Sequence, residues 1–207
     1  ATAIAAGPKE DLRGPHLVRP GDRVVITKGP AIETTGLLAV SFPERFVSAG
    51  GRQFQEEAEK VFYQMSVMDD CAVARGVRGV RVMHDATECG IRGALFEMAR
   101  AGNYGVRVDE SLIPVQPVVK RTAEVFGFDP FCAISEGTLV AIVSPSDAGR
   151  LVDAFAQAGI LSADAGEVVP ADAGMRIVRN GREEELTHPT VDPYWILVER
   201  LSRDAGA

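Results

Sequence analysis

Three short stretches of this chain hold residue types that could do chemistry. The densest runs from Met83 to Gly93, MHDATECGIRG, and packs His84, Asp85, Thr87, Glu88, Cys89 and Gly90 together. Its plain reading is a helix start. Asp85 followed by Glu88 has the spacing of a capping box, with Thr87 an alternative cap. Its functional reading is a ligand site. His84 and Asp85 end a predicted strand, where ligands bind in α/β sheets. Gly90 leaves room close to the backbone, and the N–H groups of the new helix point at whatever lies there. The second stretch, TKGPAIETT, sets Lys28-Gly29 between a strand and a helix start. It lacks the spacing of a phosphate-binding P-loop, and a lysine in a turn is commonly just solvated. The third, ISEGTLVAIV, places Glu136-Gly137 before an apolar run. That carboxylate is either a solvated strand end or a positioned base.

The elements that must position these groups follow from periodicity. Arg23 to Thr27, Val80 to Met83, Val106 to Val108 and Thr138 to Val143 read as strands, rich in β-branched residues. Two more strands are predicted near 165–169 and 175–179, with Asn180-Gly181 as a hairpin turn. Helices are predicted from Ile32 to about Ser41, over 53–75 with Asp69-Asp70 capping a second segment, and over 88–101, 117–126, 146–158 and 192–202. Residues 1–20 hold several Gly and Pro breakers and read as an entry arm. Alternating strands and helices, then a hairpin, then a helix, predict a layered α/β or α+β domain with a mixed sheet.

Composition narrows the function classes. The 207 residues carry 22 basic and 29 acidic side chains, a net charge of −7, with no basic block. Nucleic acid is therefore not an expected partner. The apolar runs are too short to span a bilayer, so no membrane partner is expected and a cytoplasmic location is. Three widely spaced cysteines and three unclustered histidines predict neither a disulfide framework nor a metal site. No serine-hydrolase or Rossmann signature occurs.

Taken in order, RPGDRVVITKGPAIETTGLLA, MHDATECGIRGALFEMARA, VRVDESLIPV, FGFDPFCAISEGTLVAIV and DPYW resemble the C-terminal domain of the aminoimidazole ribonucleotide (AIR) synthetase superfamily. The resemblance covers roughly residues 17–200 and is closest to the AIR-synthase-related, hydrogenase-maturation branch. It implies an α+β fold, three α/β/α layers around a mixed sheet with partial ferredoxin-like topology, and a homodimer. It implies ATP-dependent activation of a carbonyl or acceptor oxygen by phosphorylation, on a small-molecule or partner-protein substrate. ATP and Mg are implied only with a separate N-terminal domain, not within this chain. Residues 1–16 would then be a linker or the tail of that domain, and 17–207 the C-terminal domain. Carried over residue by residue, Asp85 and Glu136 are the catalytic candidates. His84, Thr87, Gly90 and Gly137 would contact substrate, and Lys28-Gly29 would face phosphate. Glu97 matches a helix glutamate that packs or pairs. Cys89 stands where the family has the first of two glycines. The chain ends LSRDAGA, without the terminal cysteine that the carbamoyl dehydratase modifies, so that one reaction is not expected. Two other readings stand beside this one. One is a non-catalytic dimerisation or ligand-binding module; the other is a thiamine-monophosphate kinase or AIR synthetase proper.

Overall fold

The computed structural model describes residues 4, 6, 8 and 12–205, with side chains through Arg203. Much of the predicted entry arm, including Gly7, lies outside the described residues. Seven strands form one mixed sheet in the order β2-β4-β1-β5-β3-β6-β7. They are β1 (Arg23–Thr27), β2 (Val80–Asp85), β3 (Gly105–Asp109), β4 (Leu139–Val143), β5 (Ser162–Val169), β6 (Met175–Arg179) and β7 (Arg182–Glu185). All neighbours pair antiparallel except β3 with β6. β4 lies between β1 and β2 and is buried along its whole length. That position explains why LVAIV is apolar without alternation: side chains on both faces meet protein.

The two faces sort by the period of two along each strand. Val24, Ile26, Val82, Val140 and Ile142 face one core. They pack against Ile91, Leu95 and Met98 of α4 (Gly90–Gly102). Val25, Ala141 and Val143 face the other, with Ala74 of α3 (Met68–Arg75) and Leu151 and Phe155 of α6 (Ala148–Gln157). Each fully buried Ile or Leu contributes about 1.5–3 kcal/mol. Helices thus cover both faces, the three-layer α+β arrangement expected. A third core, built on Phe46, Phe54 and Phe126, joins the remaining helices. These are α1 (Ile32–Ser41), α2 (Pro43–Val61), α5 (Pro117–Phe126) and α7 (Pro193–Ala205).

Some elements differ from the sequence reading. The helix expected from residue 53 starts ten residues earlier, while the second segment expected at Asp69-Asp70 is present as α3. α2 begins at Pro43, bends where Gly51 takes φ 82°, and ends before a 3-10 turn at Phe62–Gln64; α3 follows. The strands near 165–169 and 175–179 do not pair with each other, because β3 lies between them. The hairpin joins β6 to β7 instead, through Asn180 (φ 51°) and Gly181 (φ 73°). That pair of positive φ values is what a two-residue type I′ turn requires.

Candidate functional site

β1 and β2 run the same way, as do β3 and β6, so their carboxyl ends share one edge of the sheet. All three chemistry-bearing stretches meet at that edge. β2 and the segment before β4 run side by side: the Ala86 N–H donates to the Thr138 carbonyl (2.9 Å) and the Ser135 N–H to the Thr87 carbonyl (3.3 Å). Thr87 and Glu136 therefore line one cavity of about 240 Å³, together with Glu33, Leu37, Glu88, Ile134, Tyr194 and Trp195.

The charge in this cavity is one-sided. Glu33, Glu88 and Glu136 line it, and no Lys or Arg does. Glu33 stands in the first turn of α1, and its Oε2 accepts the Glu136 N–H at 3.2 Å. Burial pushes the Glu33 carboxyl up to about 7; the negative charges of Glu136, Glu88 and Asp192 add to this, partly offset by the Glu136 N–H.

The helix start in MHDATECGIRG differs from the expected capping box. Asp85 ends β2 and is exposed. α4 begins at Gly90, with Cys89 before it at φ 62°, and neither Asp85 nor Thr87 caps it through its side chain. The acceptor comes from far away. Asp192 Oδ2 accepts the Cys89 N–H at 2.6 Å, and Asp192 Oδ1 accepts the Tyr194 N–H at 2.8 Å. Asp192 is buried, which pushes its carboxyl up, while N–H groups of Tyr194, Cys89 and Ile134 pull it back down. The Gly90 N–H donates to the Thr87 carbonyl. Two of the donors that seemed free for a ligand, the Cys89 and Gly90 N–H groups, are thus already satisfied.

The glycines also make room for this chain rather than for a guest. A Cβ on Gly90 would lie 2.5 Å from the Ala133 carbonyl oxygen, and one on Gly137 would lie 2.4 Å from that of Gln64. Gly29 is pressed against the Pro114 carbonyl. Lys28 turns away from the cavity. Its ammonium donates to the carbonyls of Gln64 (3.3 Å) and Ser66 (2.8 Å) and to Asp70 Oδ2 (2.8 Å). Only 12% of the Lys28 side chain is exposed, and 2% of the Asp70 side chain. The ammonium thus has three acceptors, one of them the carboxylate of a buried ion pair.

His84 and Asp85 lead to opposite faces of β2. His84 Nε2 pairs with Glu97 Oε2 of α4 at 2.9 Å, and His188 Nε2 approaches Glu97 Oε1 at 3.7 Å. Glu97 therefore pairs, as one of its two expected roles. Asp85 lies 3.6 Å from His84 Nδ1 and on the side of Cys71, whose thiol is pushed up chiefly by burial and then by Asp70 and Asp85. Cys89 is buried, and its thiol is pushed up by burial first and by Asp192, Glu97 and Glu88 next. Its Sγ lies 3.5 Å from the Pro189 carbonyl oxygen.

The sequence reading missed Glu33, Tyr194 and Trp195 as cavity residues and Asp192 as the acceptor at the start of α4, and it gave Glu88 to a capping box that does not form. The signal was faint but present. Glu33 sits in the same stretch as Lys28-Gly29, and Asp192 to Trp195 form the DPYW segment.

A larger cavity of about 670 Å³ is lined by Ile113, Val115, Phe128, Phe131, Arg179 and Asn180 among others. Its buried carboxylate, Glu110, is held by Arg92 at 2.7 Å and approached by Arg179 at 3.5 Å. Among the described residues, no group of three or more His, Cys, Asp or Glu side chains is arranged to hold a metal ion. No described helix is long and apolar enough to cross a membrane.

Known proteins share this architecture. The carbamoyl dehydratase HypE of Bradyrhizobium diazoefficiens is 35% identical over 133 residues, which is 59% of this chain and 38% of the relative. The crystal structure of E. coli HypE, a hydrogenase maturation protein, superposes with a TM-score of 0.68 at 24% identity, covering 88% of this chain and 54% of that one. A HypE structure in complex with ATP superposes with a TM-score of 0.65 at 18% identity, covering 88% and 55%. The chain spans about half the length of these solved relatives and less of the curated one. The model of the AIR synthase related protein C-terminal domain matches residues 19–178, and the chain belongs to that family.

Proposed function

We propose that this chain is the substrate-facing domain of an ATP-dependent, hydrogenase-maturation-like enzyme that activates a carbonyl or acceptor oxygen by phosphorylation. The observation that carries the reading is the cavity at the strand ends, where Glu136 and Thr87 of the family motifs meet Glu33 and Glu88. Residues of this cavity do not fit a triphosphate. Its charged lining is all carboxylate, the Cys89 and Gly90 N–H groups at the start of α4 are taken by Asp192 and Thr87, and Lys28 is held by Asp70. Like charges repel, so the phosphates of the nucleotide, with the Mg they carry, belong on a separate N-terminal domain, joined through residues 1–16, with the acceptor held here.

Within this chain, Glu136 is the base that takes a proton from the acceptor. It is exposed at its backbone turn and shielded on one side by Tyr194 and Trp195. Thr87 offers its hydroxyl to the same group. Asp85, at the exposed end of β2, faces the nucleotide-bearing domain, with His84 held behind it by Glu97. The acceptor is a small molecule or a partner-protein segment, and the enzyme is a cytoplasmic homodimer.

The test is turnover of ATP with acceptor by the full-length enzyme. Glu136→Gln is expected to lower kcat by roughly 100-fold or more, the usual range for losing a general base. Asp85→Asn should do the same in a shared assay. Unchanged turnover in both variants would remove the role assignment.

A further inference from the structure

The cavity holds a relation that the family motifs do not describe. Glu33 comes from α1 and Glu136 from the turn before β4, yet the Glu136 N–H donates to Glu33 Oε2 at 3.2 Å and both side chains line the same space. We propose that Glu33 and Glu136 work as one electrostatically coupled carboxyl pair facing the acceptor, with Glu136 the base and Glu33 the partner that carries a proton. This rests on the reading of Glu136 as the base.

Geometry makes the pair. Gly137 takes φ 106° and is wedged against the carbonyl of Gln64, the Cα of Met65 and the side chain of Ile32, so the Glu136 backbone cannot retreat from α1. Leu37, Ile134, Tyr194 and Trp195 supply the remaining walls. The charged groups facing Glu33 are Glu136 from the turn before β4, Glu88 from the β2–α4 loop and Asp192 from the start of α7; all are acidic. Three such carboxylates and Glu33 cannot all ionise without cost in a half-buried space. Glu33 is the one pushed up, to about 7, chiefly by burial.

A definite recognition pattern follows. With Glu33 protonated, the pair presents one O–H donor and one carboxylate acceptor. It fits a neutral acceptor group that carries both an N–H or O–H and a carbonyl oxygen, and it repels anions. When Glu33 ionises, the donor is lost and a second negative charge arrives beside Glu136.

Two measurements decide this. The first is a carboxyl-carbon NMR titration of the glutamates in the full-length protein. Glu33 is expected to titrate near 7 and to move toward the ordinary glutamate range in Glu136→Gln. An unmoved Glu33 would mean no pair exists. The second is kcat against pH for ATP turnover with acceptor. Wild type is expected to lose roughly tenfold between pH 6 and 8 as a single group ionises, whereas Glu33→Gln, which cannot ionise, should have a ratio near one. Equal ratios in both would overturn the proposal. The outcomes separate from those of the functional reading: full activity in Glu136→Gln removes the base assignment, while the titration still reports whether the two carboxyls are coupled.

Discussion

Asp192 holds the Cys89 N–H at 2.6 Å across a sequence separation of 103 residues. A carboxylate thus occupies the N-terminus of α4, as helix electrostatics favour, but it arrives from the start of α7. The same side chain accepts the Tyr194 N–H, so one buried group fixes both a helix start and a cavity wall. Asp192→Ala is expected to destabilise the fold by about 2 kcal/mol, the upper range for losing a cap. The midpoint of urea denaturation checks this. A shift within error would mean that water replaces the carboxylate at no cost.

Lys28 and Asp70 form the most buried ion pair connected to the site. Removing one partner leaves the other charge stranded, which costs about 3–5 kcal/mol for a buried pair. Asp70 Oδ1 already lacks a hydrogen-bond partner. Lys28→Met should therefore lower stability by about 3 kcal/mol, while Lys28→Met with Asp70→Asn should recover part of that loss. A double-mutant cycle on denaturation midpoints measures the coupling, and purely additive losses would contradict the pair.

Gly137 is held at φ 106° with backbone on its open side. Gly137→Ala meets both a conformational penalty and a clash, and should cost more than about 1 kcal/mol. It should also displace Glu136 from Glu33. The Glu33 carboxyl would then titrate lower than in wild type, an outcome visible by NMR without any substrate.

Stability should depend on pH through Glu33. Its folded pKa is raised from 4.5 to about 7, so the native state binds more protons than the unfolded state within that window. The contribution of this group is complete below pH 4.5 and is lost as pH rises through about 7. Compared with Glu33→Gln, the wild type should lose additional stability between pH 5 and 8. Parallel curves for the two proteins would show that Glu33 is solvated and ordinary.

How much of this was legible in the sequence follows from the range of the forces involved. β1, β2, β3 and β4 could be read because strand burial writes itself into consecutive side chains. The β6–β7 turn could be read because Asn180-Gly181 satisfies a local backbone demand. Glu136-Gly137 and Thr87 were legible through family motifs. The α4 cap was not, since Asp85 and Glu88 have the spacing of a local solution while the actual acceptor lies at Asp192. Glu33 was hidden for the same reason. A glutamate in the first turn of a helix has an ordinary local explanation, and nothing nearby in the chain announces Glu136. The division of 53–75 turned on the 3-10 turn at Phe62–Gln64, where Phe62 packs against Gly36 of α1 rather than obeying its own periodicity.

The wall formed by Asp192, Tyr194 and Trp195 has a consequence for biosynthesis. These residues leave the ribosome after every strand of the sheet has been made. The sheet and α4 can assemble first, but α4 then waits without the group that satisfies its first turn, and the cavity stays open on one side. The third core, which buries Tyr194, Leu197 and Leu201 with Phe46, Phe54 and Phe126, can therefore close only after the last helix has been made.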